Sequence, residues 1–241
     1  MVVGQSGGPT AVINASLAGV LHEAARHGSI TGIYGMRHGV EGLLRENLID
    51  LGAESSQTVG LLRYTPSAAL GSSRYKLADS DYDRILAVLR THDIRYFLYI
   101  GGNDSADTSD RLGALAARED YELRVIGIPK TIDNDLVETD HCPGYPSVAR
   151  WLATAVRDAG LDTEAIGVVD TVKVIETMGR DTGWIATATA LARTRDGAAP
   201  HLIYLPERPL RRAEFLADVE RVYRARGHVV VAVCEGQRDE S

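Results

Sequence analysis

Cysteine is nearly absent: Cys142 and Cys234 are the two thiols in 241 residues. That excludes a disulfide framework and points to a reducing, cytoplasmic compartment. Neither cysteine has a histidine or second cysteine at metal-ligand spacing, so a zinc site is excluded on the same count. Long apolar runs are lacking as well. The longest, over 228–234, falls far short of the roughly 18 residues a membrane span needs. The first residues reach Gln5, Ser6, Gly7 and Gly8 without a basic and then apolar leader, so no secretory signal is expected. Positive charge is in deficit, with 26 Lys+Arg against 33 Asp+Glu and a net charge of −7, which argues against a nucleic-acid partner. Neither G-x-G-x-x-G nor G-x-x-x-x-G-K-[ST] occurs, and the stretch beginning His22–Glu23 ends in Arg26 where a metalloprotease helix needs histidine. What is present is an ordinary globular composition, 44% hydrophobic and 24% charged, long enough for one large or two small domains. Glycine is the exception, at 24 of 241 residues against a usual share of about 7%.

Short β-rich segments alternate with amphipathic helical patterns along the whole chain. Strands are predicted at 1–3, 30–36, 95–100, 123–128, 172–176, 202–205 and 229–234. The 123–128 strand reads as buried. Helices are predicted at 10–26, 82–91, 105–118, 145–160, 184–193 and 211–226. This alternation predicts an α/β fold with mostly parallel sheets, whose ligands bind beyond the carboxyl ends of the strands. The unusual sequences fall at those ends. A domain boundary is expected at the Pro143–Gly144–Tyr145–Pro146 punctuation, giving domains over 1–140 and 141–241.

Two of the strand-to-helix turns are glycine-rich: Gly7–Gly8 before Pro9, and Gly101–Gly102 before Ser105. Without side chains in the way, their amides can face an anion at a helix amino terminus. One such turn often only solves a packing problem; two in one sheet favour phosphate. The segment Pro129–Lys130–Thr131–Ile132–Asp133–Asn134–Asp135 places two carboxylates two residues apart behind a lysine and a hydroxyl. An Asx-rich turn that caps its own backbone accounts for the carboxylates. A base beside a cation and a hydroxyl donor is also what phosphoryl transfer requires.

Taken in order, Gln5 to Thr10, the run Ala11–Val12–Ile13–Asn14–Ala15, Gly71–Ser72–Ser73–Arg74, Gly101–Gly102–Asn103–Asp104–Ser105, Pro129 to Asp135, Met178–Gly179–Arg180 and Glu235–Gly236 resemble the phosphofructokinase family over essentially the full length. The resemblance implies a fold of Rossmann-like three-layer sheets in two similar α/β domains with the active site in the cleft. The first domain would bind the phosphoryl donor and the second fructose 6-phosphate. It implies transfer of a phosphoryl group to the 1-hydroxyl of fructose 6-phosphate, with Mg²⁺ as cofactor and a homodimer or homotetramer as the assembly. In that frame Asp133 is the general base, and Lys130, Asp104, Thr131 and Arg180 complete the catalytic set. Gly7, Gly8, Arg74, Gly102 and Ser105 meet the donor phosphates. Thr131, Asp133, Asp135, Met178, Gly179, Arg180 and Glu235 bind fructose 6-phosphate, and Asn103 and Asp104 hold the metal.

Two positions select the donor within this resemblance. Members that use ATP commonly carry glycine where this chain has Asp104 and Lys130; members that use pyrophosphate carry Asp and Lys. A carboxylate beside a nucleotide α-phosphate about 4 Å away is repelled by roughly 4 kcal/mol at an effective dielectric near 20. A reversible pyrophosphate-dependent transfer is therefore expected, with an ATP-dependent enzyme or an inactive, truncated phosphosugar-binding subunit as alternatives. Set against the family, the chain is expected to lack the carboxyl-terminal part of the second domain, including a basic segment for the sugar 6-phosphate.

Overall fold

The computed structural model describes residues 1–10 and 12–240. Ala11, inside the first predicted helix, lies outside the described residues, as does Ser241. In chain order the elements are β1 (Val2–Gln5), α1 (Ile13–Ala24), β2 (Tyr34–Met36), α2 (Gly39–Leu44), β3 (Leu48–Asp50), α3 (Ser56–Leu61), α4 (Asp79–Thr91), β4 (Tyr96–Gly101), α5 (Asn103–Arg118) and β5 (Arg124–Pro129). These are followed by α6 (Tyr145–Ile166), β6 (Val172–Thr177), α7 (Trp184–Ala188), β7 (Leu202–Tyr204), α8 (Arg212–Arg226) and β8 (Val229–Cys234). The chain divides into two compact units, Met1–Lys130 and a second beginning at Thr131. Residues 131–140, assigned from sequence to the first domain, pack within the second unit.

The first unit is built on a five-stranded sheet in the order β3-β2-β1-β4-β5. Pairing is parallel except between β2 and β3. Side chains alternate across the sheet, and both faces are covered. Val2, Met36, Phe97 and Tyr99 pack with α2, α4 and α5 on one side, and Val3, Ile100 and Met1 with Ile13, Leu17 and Leu21 of α1 on the other. Residues 37–81, given no regular structure by periodicity, contain α2, β3 and α3, elements too short for a hydrophobic period to register. The buried strand expected over 123–128 is corrected: β5 ends the sheet order, its face is largely exposed, and Ile126 is 49% exposed.

Gln5, fully buried at the end of β1, donates to Asn14 Oδ1 at 2.9 Å and accepts from Leu70 N at 2.9 Å. Asn14 in turn takes Ala69 N at 2.8 Å. The asparagine of the Asn14–Ala15–Ser16 sequon is thus consumed inside the core, out of reach of glycosylation.

In the second unit three parallel strands run in the order β6-β8-β7. The central β8 is a continuous apolar run, as a strand covered on both faces must be. Ile175 of β6 packs with Leu152 and Val156 of α6 and Ile185 of α7, while Val229 and Val231 pack with Phe215, Val219 and Val222 of α8. Helix α6 runs six residues past its predicted end at Gly160. That glycine admits Ala199, whose Cβ lies 2.5 Å from where a Gly160 Cβ would sit. Among the described residues no helix is long and apolar enough to cross a membrane.

His201, just before β7, accepts Val230 N on Nδ1 at 2.9 Å, which assigns the ring proton to Nε2. Burial, and then the neighbouring His228 and Arg226, push its pKa below the usual histidine value of 6.5. As pH falls, the unfolded chain therefore takes up this proton before the folded one does. The stability contribution is complete above about pH 6.5 and is lost as pH drops through the window beneath it. Thermal unfolding followed between pH 7 and 5 should show a midpoint that falls with pH, and a shallower slope in His201→Asn. An identical slope in the variant would contradict the assignment.

Candidate active site

Each unit gathers its chemically distinctive residues at the carboxyl edge of its own sheet. In the first unit β1, β4 and β5 are adjacent and parallel, with Gln5 opposite Ile100 and Gly101 opposite Pro129. The residues that leave those strands, Ser6 to Gly8, Gly102 to Ser105, and Lys130, are therefore neighbours. Ser6 N donates to Ile100 O and Lys130 N to Gly101 O, both at 2.9 Å, which fixes the three exits in register. Lys130 is only 6% exposed, and its Nζ donates to Gly8 O at 2.7 Å. Gly7 has φ +80, and a Cβ there would sit 3.2 Å from the Lys130 ammonium. Glycine at this position meets both demands, a left-handed backbone and room for the cation.

The second glycine turn works differently. A Cβ on Gly101 would lie 2.1 Å from Ser105 Oγ, so this glycine lets the first turn of α5 close against the strand. Ser105 is buried by that contact. Helix α5 begins two residues earlier than its periodicity predicts, placing Asn103 and Asp104 at its first two positions with exposed side chains. First-turn amides have no intrahelical acceptor, and the helix dipole adds positive potential there. Gly102, at the N-cap, brings no side chain to cap this end, and its carbonyl accepts Ser105 N at 3.0 Å. Arg74 follows a loop tied to the first turn, since Ser6 Oγ donates to Ser73 O at 3.2 Å and Ser72 Oγ donates to Gly7 O. Its side chain is exposed.

In the second unit β6 and β8 pair in parallel with Thr177 opposite Cys234, so the 178–182 turn and Glu235–Gly236 leave side by side. Glu235 Oε1 accepts from Gly179 N at 3.1 Å and from Arg180 N at 3.2 Å. Gly179 has φ +139, and Arg180 itself is left-handed at φ +53. A Cβ on Gly236 would lie 1.7 Å from Arg180 O. The turn can approach so closely only because this position is glycine.

Asp133 is 6% exposed, and its Oδ2 lies 3.4 Å from Arg180 Nε. Its amide donates to Thr131 Oγ1 at 3.1 Å, while the Thr131 hydroxyl donates to Asp135 Oδ1 at 3.0 Å. Thr131 closes a hydroxyl turn under Asp133, Asp135 orients Thr131, and the Asp133 carboxylate faces the Arg180 guanidinium. Met178 is exposed on the same turn. Thr131, Asp133, Asp135, Met178, Gly179, Arg180 and Glu235 thus share one edge of this unit.

Three contributors escape periodicity and motif spacing. Asn134, 4% exposed at φ +60, donates to Asp140 O at 3.0 Å and accepts from Cys142 N at 2.7 Å, closing the loop behind Asp133. Thr182 Oγ1 lies 2.9 Å from Asp133 O and 2.9 Å from Gly179 O. Cys234 Sγ faces Arg180 O at 3.5 Å and Thr182 O at 3.6 Å, and burial raises its pKa, so the thiol keeps its proton and donates. Of these, only Asn134 carried a sequence signal, as an Asx residue in a turn-forming run.

Magnesium requires oxygen ligands and commonly keeps several waters beside one or two carboxylates and substrate phosphates. The exposed Asn103 amide and Asp104 carboxylate at the head of α5 fit that mode. Among the described residues no group of three His, Cys, Asp or Glu side chains could hold a metal, which excludes an all-protein cage there.

The family model described as Phosphofructokinase matches residues 1–241. The chain is 46% identical to a pyrophosphate–fructose 6-phosphate 1-phosphotransferase of Halomonas elongata, over 98% of its own length and 58% of the relative's. It is 47% identical to one of Xanthomonas campestris, over 99% and 58%. The crystal structure of a pyrophosphate-dependent phosphofructokinase from Marinobacter aquaeolei superposes with a TM-score of 0.90 at 45% identity, covering 99% of this chain and 61% of that one. The chain therefore spans about 58% of the length of these curated relatives.

Proposed function

Because the chain belongs to the phosphofructokinase family, we propose that the protein catalyses reversible transfer of a phosphoryl group from pyrophosphate to the 1-hydroxyl of fructose 6-phosphate, giving fructose 1,6-bisphosphate and phosphate. The observation that carries the choice of donor is Lys130, a buried ammonium held 2.7 Å from Gly8 O against a glycine with no Cβ. Pyrophosphate brings concentrated negative charge with no nucleoside to anchor it, so a fixed cation at this turn is the interaction it lacks otherwise.

In this reading Gly7, Gly8 and Gly102 present main-chain donors to the diphosphate, and Arg74 adds a cation from the neighbouring loop. Asp133 takes the proton of the attacking hydroxyl, and Thr131 and Asp135 hold it in place. Arg180 stabilises charge that grows as the phosphoryl group migrates, and Glu235 shapes the sugar pocket by holding the 178–182 turn. Asn103 and Asp104 would hold Mg²⁺, which neutralises phosphate charge when bound. The exposed Asp104 disfavours a nucleotide at the same turn by charge repulsion.

Donor competition on the full-length protein, with fructose 6-phosphate fixed, tests the reading. Pyrophosphate should support turnover, and kcat/KM with ATP should be about 10³-fold lower, as roughly 4 kcal/mol of repulsion requires. Turnover with ATP and none with pyrophosphate would reverse the donor assignment; binding of the sugar phosphate without turnover from either donor would make the protein a phosphosugar-binding subunit.

A further inference from the structure

Asp133 is separated by 49 residues of sequence from Thr182, yet the two are joined by one hydroxyl. Thr182 Oγ1 lies 2.9 Å from two carbonyls, Asp133 O and Gly179 O. A hydroxyl has a single proton to give. Gly179 O already accepts Thr182 N at 3.0 Å, so a hydroxyl proton given to Asp133 O leaves each carbonyl with a donor. The Thr182 carbonyl lies 3.6 Å from the Cys234 thiol at the end of β8, which also faces Arg180 O at 3.5 Å. The Thr182 hydroxyl thus links the 178–182 turn to the main-chain carbonyl of Asp133.

The two peptide groups that flank the Asp133 Cα are both held, the N–H of one by Thr131 Oγ1 and the C=O of the other by Thr182 Oγ1. With both groups held, the direction of the Asp133 Cα–Cβ bond is fixed relative to the turn that carries Arg180. We propose that Thr182 is a positioning residue for phosphoryl transfer, its hydroxyl setting the Asp133 carboxylate against the sugar hydroxyl. This rests on the function proposed above. A role confined to stiffening the 178–182 turn would act on sugar-phosphate affinity, because Gly179 and Arg180 line that pocket. A role through Asp133 acts on the chemical step.

The experiment compares Thr182→Val and Thr182→Ser in the full-length protein, reading steady-state kinetics and amide exchange. In Thr182→Val, kcat should fall by about 10-fold to 10²-fold, the scale of a small misplacement of a reacting group, with KM for fructose 6-phosphate nearly unchanged. Thr182→Ser, which keeps the hydroxyl, should recover most of the loss. The Asp133 amide should exchange faster in Thr182→Val than in wild type, with β8 amides unaltered. Wild-type kcat in Thr182→Val, a raised KM with kcat intact, or a Ser variant as impaired as the Val variant each overturns the proposal. Should the wild-type protein transfer phosphoryl from neither donor, the functional reading has failed. Amide exchange then decides the positioning claim alone: unchanged protection at Asp133 overturns it, and selective loss there sustains it.

Discussion

Replacing Asp133 by asparagine is expected to lower kcat by about 10²-fold to 10⁴-fold, the range that a positioned general base contributes. Asparagine keeps the shape, and both grips on the peptide act on main-chain atoms, so Thr131 and Thr182 still hold the residue. What is lost is the capacity to accept a proton, together with the ion pair to Arg180 at 3.4 Å. Arg180 is 65% exposed in that pair, so the stability cost should stay below about 1 kcal/mol. The two readouts together are diagnostic. A deep loss of kcat with an unfolding midpoint close to wild type identifies a chemical role, whereas retention of wild-type turnover would remove Asp133 as the base.

The second large effect is expected at Lys130. Lys130→Met removes the charge while filling similar volume, and kcat/KM for pyrophosphate should fall by about 10²-fold to 10³-fold, the cost of removing one preorganised stabilising group. Arginine should not rescue it. The buried ammonium is a compact point charge 2.7 Å from Gly8 O, and a guanidinium spreads its charge over a larger planar fork. Saturation kinetics in pyrophosphate for wild type, Lys130→Met and Lys130→Arg would check both statements. Full activity in Lys130→Met would show that the buried cation does not serve the donor, and full activity in Lys130→Arg would show that the turn accepts a guanidinium.

Much of the framework is legible before any coordinates. The alternation of strand and helix periods gives the parallel α/β order, because a strand buried on both faces, such as β8, must be continuously apolar, and a helix on a sheet must show one apolar stripe. Glycine at Gly7, Gly101, Gly179 and Gly236 marks the places where main chain must approach another group closely, and each lies at a strand exit. Boundaries are less legible. Asn103 and Asp104 read as turn residues, yet they form the head of α5, because Gly102 serves as the N-cap and the sequence can be read either way.

What the sequence determined by itself is therefore the fold class, the strand exits and the identity of Lys130, Asp133 and Arg180 as the charged groups placed at them. These follow from local rules, in which each residue's pattern depends on its near neighbours in the chain. The tertiary structure alone decided that β3 runs antiparallel to β2 and that Thr131–Asp140 belongs with the second unit. It also decided that Thr182, Asn134 and Cys234 hold the loops around Asp133. Their function lies in single hydrogen bonds to main-chain atoms, most of them from distant segments, and a carbonyl oxygen carries no mark in the sequence of which hydroxyl or thiol will reach it.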